Sequence, residues 1–213
     1  MGKPEPLGGN MSRRFNRVSL IAFLSLLIPI IAFIFILLSI VIAWNWFVLT
    51  KHALSNLGAV SANSHIVFNS GLMVEGLVII ALSLMLILEF WKERKVMSVP
   101  TILLLLSGIA LFGIGLFPMD ITPIQHLYCS IAFFALLGFT MLGFGICYSY
   151  RGDRVLGILG VLAFIIDIIA WLFVPWREFG IEGVAIPEIT SFTLPLIWLM
   201  IFSVKTIRTH RVP

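Results

Sequence analysis

The stretch VSLIAFLSLLIPIIAFIFILLSIVIA, residues 18–43, holds no charged residue in 26 positions. At a rise of about 1.5 Å per residue, a helix of that length crosses the roughly 30 Å hydrocarbon core of a bilayer. Arg13, Arg14 and Arg17 precede it, as the basic start of a signal peptide would. A secretory apolar segment, however, runs only about 7–15 residues and ends at a small-x-small cleavage site. This run is longer and lacks that site, so it reads as an uncleaved membrane helix. Pro29 within it is expected to kink the helix, because neighbouring helices can satisfy the carbonyl it frees.

The rest of the chain repeats the pattern. Of 213 residues, 60% are hydrophobic and 11% are charged, and the mean hydropathy is +1.11. A soluble domain of this size carries far more polar surface. Five further apolar runs lie near 66–90, 99–117, 124–148, 155–174 and 189–205, the last with Pro195 inside. The fold class is therefore all-α: a polytopic integral membrane protein with six transmembrane helices. Residues 18–205 form one membrane domain, with a flexible basic tail over 1–17 and a short tail over 206–213.

Basic residues orient the domain. Lys3, Arg13, Arg14, Arg17, Lys92, Arg94, Lys95, Arg151, Arg154, Lys205, Arg208 and Arg211 fall on one side of the spans, and only Lys51 and Arg177 on the other. By the positive-inside rule both termini are cytoplasmic, in a multi-pass protein of the cell membrane. The net charge of +4 follows from that bias together with attraction to anionic lipid, and calls for no nucleic-acid partner. Cys129 and Cys147 stand 18 residues apart on the fourth span, about 27 Å along a helix, too far to pair within the chain.

The polar residues gather on the side away from the termini. In FPMDITPIQH, residues 117–126, Thr122 fits an N-cap, Pro123 the first helical position and Gln125 a capping-box partner. Asp120 lies near the positive end of the helix dipole. Local helix chemistry does not require His126. WFVLTKHALSNLG, residues 46–58, reads as an interfacial helix anchored by Trp44, Trp46 and Phe47 and ended by Gly58, with His52, Ser55 and Asn56 on one face. Glu75 and Asp167 lie well inside their spans, where an unpaired carboxylate costs several kcal/mol and so turns toward the bundle interior. Gly157, Gly160, Ala163, Asp167 and Ala170 form a small-residue stripe that aims Asp167 at another helix.

HALSNLG at 52–58, HIVFNSGLMVEG at 65–76 and GLFPMDITPIQH at 115–126 resemble the motifs of domain-of-unknown-function family 998, bacterial and archaeal membrane proteins. The likeness spans roughly residues 20–205. It implies six helices, no established activity, and signature positions at His52, Ser55, Gly58, Asn69, Gly76, Pro118, Asp120 and His126. The family is distantly similar to eukaryotic Frag1/DRAM/Sfk1-type membrane proteins, some of which act in lipid-anchor remodelling or autophagy.

These residues support an outward-facing polar pocket built from His52, Ser55, Asn56, His65, Asn69, Glu75, Asp120, His126, Asp167 and Arg177. Such a pocket would bind a lipid headgroup, a small ligand or a membrane partner, a second copy of the chain included. Glu75 and Asp167 would pair with each other, with Arg177 or with waters. An enzyme acting on outer-leaflet lipid is the alternative. It could use a divalent metal on His52, His65, Asp120 and His126, although no metal-ligand spacing links them. A proton- or ion-coupled transporter using Glu75 and Asp167 is the third reading. Haem would need paired histidines on facing helices, and only His65 and His126 offer themselves, so it ranks last.

Overall fold

A computed structural model describes residues 7–209 and 211–213, with side chains described from Asn16 onward apart from Lys92, Glu93 and His210. The described residues form α1 (Leu7–Ile42), α2 (His65–Glu93), α3 (Lys95–Leu116), α4 (Pro123–Tyr150), α5 (Arg154–Leu172) and α6 (Ala185–Thr209). Short 3-10 turns lie at Leu54–Gly58 and Trp176–Phe179. Six helices are long and apolar enough to cross a membrane, and the chain is an all-α, multi-pass membrane protein. Pro29, Pro100 and Pro195 all lie inside helices that continue past them.

Each helix packs on its successor, and α6 returns to α1, so the helices close a ring in sequence order. An even number of crossings leaves the start of α1 and the end of α6 on one face, here the terminal face. The connections 43–64, 117–122 and 173–184 lie on the other, the loop face. Glycine sets the helix spacing at two contacts. A Cβ on Gly76 of α2 would meet the Phe112 nitrogen of α3 at 2.7 Å, and one on Gly160 of α5 would meet the Gly145 Cα of α4 at 2.7 Å. The small stripe of α5 faces α4 as its spacing foretells: Gly157 lies on Ser149, Gly160 on Gly145, and the Asp167 carboxylate on Gly138.

The terminal half of the ring is filled. Trp198 stacks on Phe144 (5.1 Å) and Phe202 (5.3 Å), with Tyr148 against all three. Its indole N–H donates to the Leu156 carbonyl at 2.9 Å. Below this plug Val212 is buried. Arg94 donates to the carbonyls of Val212 (3.0 Å) and Pro213 (2.7 Å). α6 continues through Thr209, into the stretch expected as a tail, and Val212 and Pro213 pack beneath the ring on Arg94.

Other expectations also change. α1 begins at Leu7, so most of the expected N-terminal tail is helical; residues 1–6 lie outside what is described. No interfacial helix spans 46–58. The Val48 N–H donates to His52 Nδ1 at 3.0 Å and closes a turn, and Ala53 is extended at φ −85°, ψ 154°. Helical periodicity is lost there, and Trp46 and Phe47 gather round the His52 ring. Gly58 is not a left-handed cap either. It is small because a Cβ would strike Asn69 Oδ1 and the Phe68 ring on α2. At α4, Thr122 stands at the N-cap and Pro123 at the first helical position as expected, but the Thr122 hydroxyl donates back to the Pro118 carbonyl at 3.0 Å and makes no capping bond. Gln125 is exposed.

Candidate functional site

The loop 43–64 lies across the loop face and is stitched down at both sides. The Thr50 carbonyl accepts from the amides of Glu182 (2.7 Å) and Gly183 (3.0 Å), and the His52 carbonyl accepts from Ala185 N–H (3.0 Å). On the other side, Asp120 Oδ1 accepts from Val60 N–H (2.9 Å) and Oδ2 from Ser61 N–H (3.1 Å). The Asn69 amide donates to the Gly58 carbonyl at 2.8 Å. Asn56 accepts from Ala53 N–H at 2.7 Å and points its amide at Met119 Sδ, 3.4 Å away. His65 Nδ1 lies 2.8 Å from the Ala62 carbonyl at the start of α2.

Most of the polar residues expected to form a pocket therefore hold the lid in place. His52, Asn56, His65, Asn69 and Asp120 each satisfy backbone groups of the lid itself. The amides of Val60 and then Ser61 hold the Asp120 carboxyl below the ordinary carboxylate range, since bonds to the charged form favour it. Arg177 is exposed on the Trp176–Phe179 turn and lines neither of the loop-side cavities described next. The expected metal set does not assemble: among the described residues no three His, Cys, Asp or Glu side chains come together as metal ligands.

Under the lid lie two adjacent spaces. The larger is a cleft of about 740 Å³ between the loop-side halves of α4 and α5. Its walls are apolar, with Leu127, Ile131, Phe134 and Ala135 from α4, and Ile168, Trp171 and Leu172 from α5. Its inner wall is polar, formed by Ser55, His126, Ser130, Asp167 and Glu188. The cleft exists because α4 and α5 are pinned backbone to backbone at Gly145 and Gly160, toward the terminal face. Behind it is a chamber of about 60 Å³ in the middle of the ring. Ser55, Ser130, Phe134 and Glu188 line both spaces, and Glu75 closes the chamber from α2.

The carboxylates here are nine-tenths buried: Asp167 is 7% exposed, Glu75 8% and Glu188 9%. Glu188 Oε2 accepts from Leu54 N–H at 2.7 Å, tying α6 to the lid. Asp167 Oδ1 is buried with no hydrogen-bond partner. Glu75 has no hydrogen bond among the described residues and faces the chamber and a small void beneath it. Glu75 and Asp167 thus point into different spaces and pair neither with each other nor with Arg177. His126 is 9% exposed, and its Nδ1 lies 2.8 Å from the Phe117 carbonyl. A carbonyl only accepts, so Nδ1 carries the proton and Nε2 offers the cleft a lone pair.

Sequence reasoning found Ser55, Glu75, His126 and Asp167 and missed Glu188 and Ser130. In the first turn of α6 a glutamate is what the helix dipole alone would favour, so nothing marked Glu188 as more. Ser130 lies one turn beyond His126 on the same wall, a spacing that could have found it.

Residues 26–205 match the family model described as Protein of unknown function (DUF998). The chain belongs to this family. No curated protein and no solved structure matches it, so the distant likeness to Frag1/DRAM/Sfk1-type proteins gains no support.

Proposed function

We propose that this DUF998 protein binds a membrane amphiphile in the α4–α5 cleft, head against the polar inner wall and chain along the apolar walls. The observation that carries this reading is the cleft itself. It is of a size that holds a small ligand, its walls suit an acyl chain, and Ser55, His126, Ser130, Asp167 and Glu188 give its lining a few polar groups. A groove of about 680 Å³ between α1 and α6 is lined almost wholly by aliphatic and aromatic side chains; it has nothing to fix a head. The charge bias supports a loop face turned outward in the plasma membrane, and on that reading the amphiphile enters from the outer leaflet. The aromatic plug in the terminal half weighs against a transport path through the ring.

The test uses Ala135→Trp, which fills the cleft from an exposed position on α4. Native mass spectrometry of protein released from membranes should show a retained amphiphile in the wild type that Ala135→Trp loses. Equal retention by both proteins refutes the proposal. A second reading, an enzyme acting on outer-leaflet lipid, is favoured by one observation: the free Nε2 of His126 lies one turn from Ser130 on the cleft wall. Covalent labelling of Ser130 by a fluorophosphonate, absent in His126→Ala, would support it, and a wild type inert to the probe would remove it.

A further inference from the structure

Resting on the cleft reading, we propose that the bound head is a primary ammonium group. The polar groups that line the cleft are mainly acceptors: the carboxylates of Asp167 and Glu188 and the Nε2 lone pair of His126. No lysine or arginine lines the cleft among the described residues. A phosphate head would set its charge against two carboxylates in a poorly screened site. An ammonium is attracted by both, and its N–H groups can donate to a carboxylate oxygen at the cleft wall.

The aromatic wall agrees. Phe134 and Trp171 lie 5.2 Å apart at 53° beside these groups. The Trp171 N–H is already given to Ser191 Oγ at 2.8 Å, so the indole offers the cleft its π surface, which attracts cations. A trimethylammonium would satisfy the rings but has no N–H to donate to the carboxylates, and the primary amine is therefore the better fit. A lone metal ion fits less well, because the acidic and imidazole groups do not converge on one point.

The experiment measures binding of dodecylamine, dodecyltrimethylammonium and dodecyl phosphate to the purified protein in maltoside micelles, by displacement of a fluorescent amphiphile. The amine should bind roughly tenfold or more tightly than either rival, as a charge-assisted hydrogen bond warrants. Asp167→Asn should erase most of that preference, and Glu188→Gln should lower it independently should the first variant fold poorly. Phosphate binding as tightly as the amine, or a preference untouched in both folded variants, overturns the head assignment. Binding that Ala135→Trp abolishes but that ignores the head leaves the cleft reading standing without it. Binding insensitive to Ala135→Trp removes both. In nanodiscs of phosphatidylcholine, displacement by added phosphatidylethanolamine would identify a lipid headgroup as the source, and displacement by dodecylamine alone a free long-chain amine. Displacement by neither overturns the proposal.

Discussion

Asp120 and Asp167 carry the same side chain in opposite surroundings. Asp120 is exposed and fully engaged, with an amide on each oxygen; Asp167 is buried with one oxygen idle. The lowered proton affinity of Asp120 fixes the sign of its pH dependence. The unfolded chain binds the proton more readily, so the clamp's stabilisation is complete above the ordinary value of about 3.9 and is lost as pH falls through the lowered one. Hydrogen exchange at Val60 and Ser61 should therefore show protection that is steady from neutral pH down to about 5 and fails only in strong acid. Asp120→Ala should remove that protection already at neutral pH; unchanged exchange in the variant would show that the clamp is idle. Glu75 sets the opposite case. Burying a polar group without a partner opposes folding by about 1–3 kcal/mol, so Glu75→Leu should raise the thermal midpoint in detergent. A lowered midpoint would mean that Glu75 has a structural partner, and retained stability with lost ligand binding would mark it as kept for function.

At the scale of the helices, glycine decides how closely α4 and α5 approach. The Gly160 Cβ position is 2.7 Å from both Gly145 Cα and the Met141 carbonyl, where only backbone could yield. Gly160→Ala should cost about 1–3 kcal/mol, the usual penalty of overpacking, and should wedge open the base of the cleft. Gly180→Ala is the comparison: nothing crowds it, but φ is +74°, so only the backbone penalty of about 1–2 kcal/mol applies. Equal effects on unfolding with no change in amphiphile binding by Gly160→Ala would separate cleft shape from α4–α5 packing and sink the wedge argument. These contacts were legible beforehand, because a small stripe at three- and four-residue steps reports one helix face without knowledge of the partner. The lid was not. Its 3-10 turn and its extended Ala53 exist because Asp120, Asn69, Glu188 and the amides of Glu182 and Gly183 reach it from elsewhere in the chain. A pattern confined to residues 46–58 says helix, and tertiary hydrogen bonds overrule it.

For the whole molecule, hydropathy alone located every span, since bilayer thickness fixes helix length before any packing is known. It did not show that the helices close a ring in sequence order, nor that this ring is plugged by aromatic rings at the terminal half and hollow beneath the lid. That asymmetry gives the orientation its functional weight: the cleft serves whichever leaflet the loop face meets. The proposal of an outward loop face rests on twelve basic residues in the terminal-side segments of the sequence against two in the loop-side ones, because basic segments resist translocation. Single cysteines placed in a Cys129→Ala, Cys147→Ala background decide it. Ser61→Cys, exposed on the lid, should react with a membrane-impermeant maleimide on intact cells, and Arg151→Cys, exposed in the turn between α4 and α5, only after permeabilisation. The reverse pattern would turn the cleft toward the cytoplasmic leaflet, where anionic lipid is concentrated; an acceptor-lined cleft would then face the lipid charge it suits least.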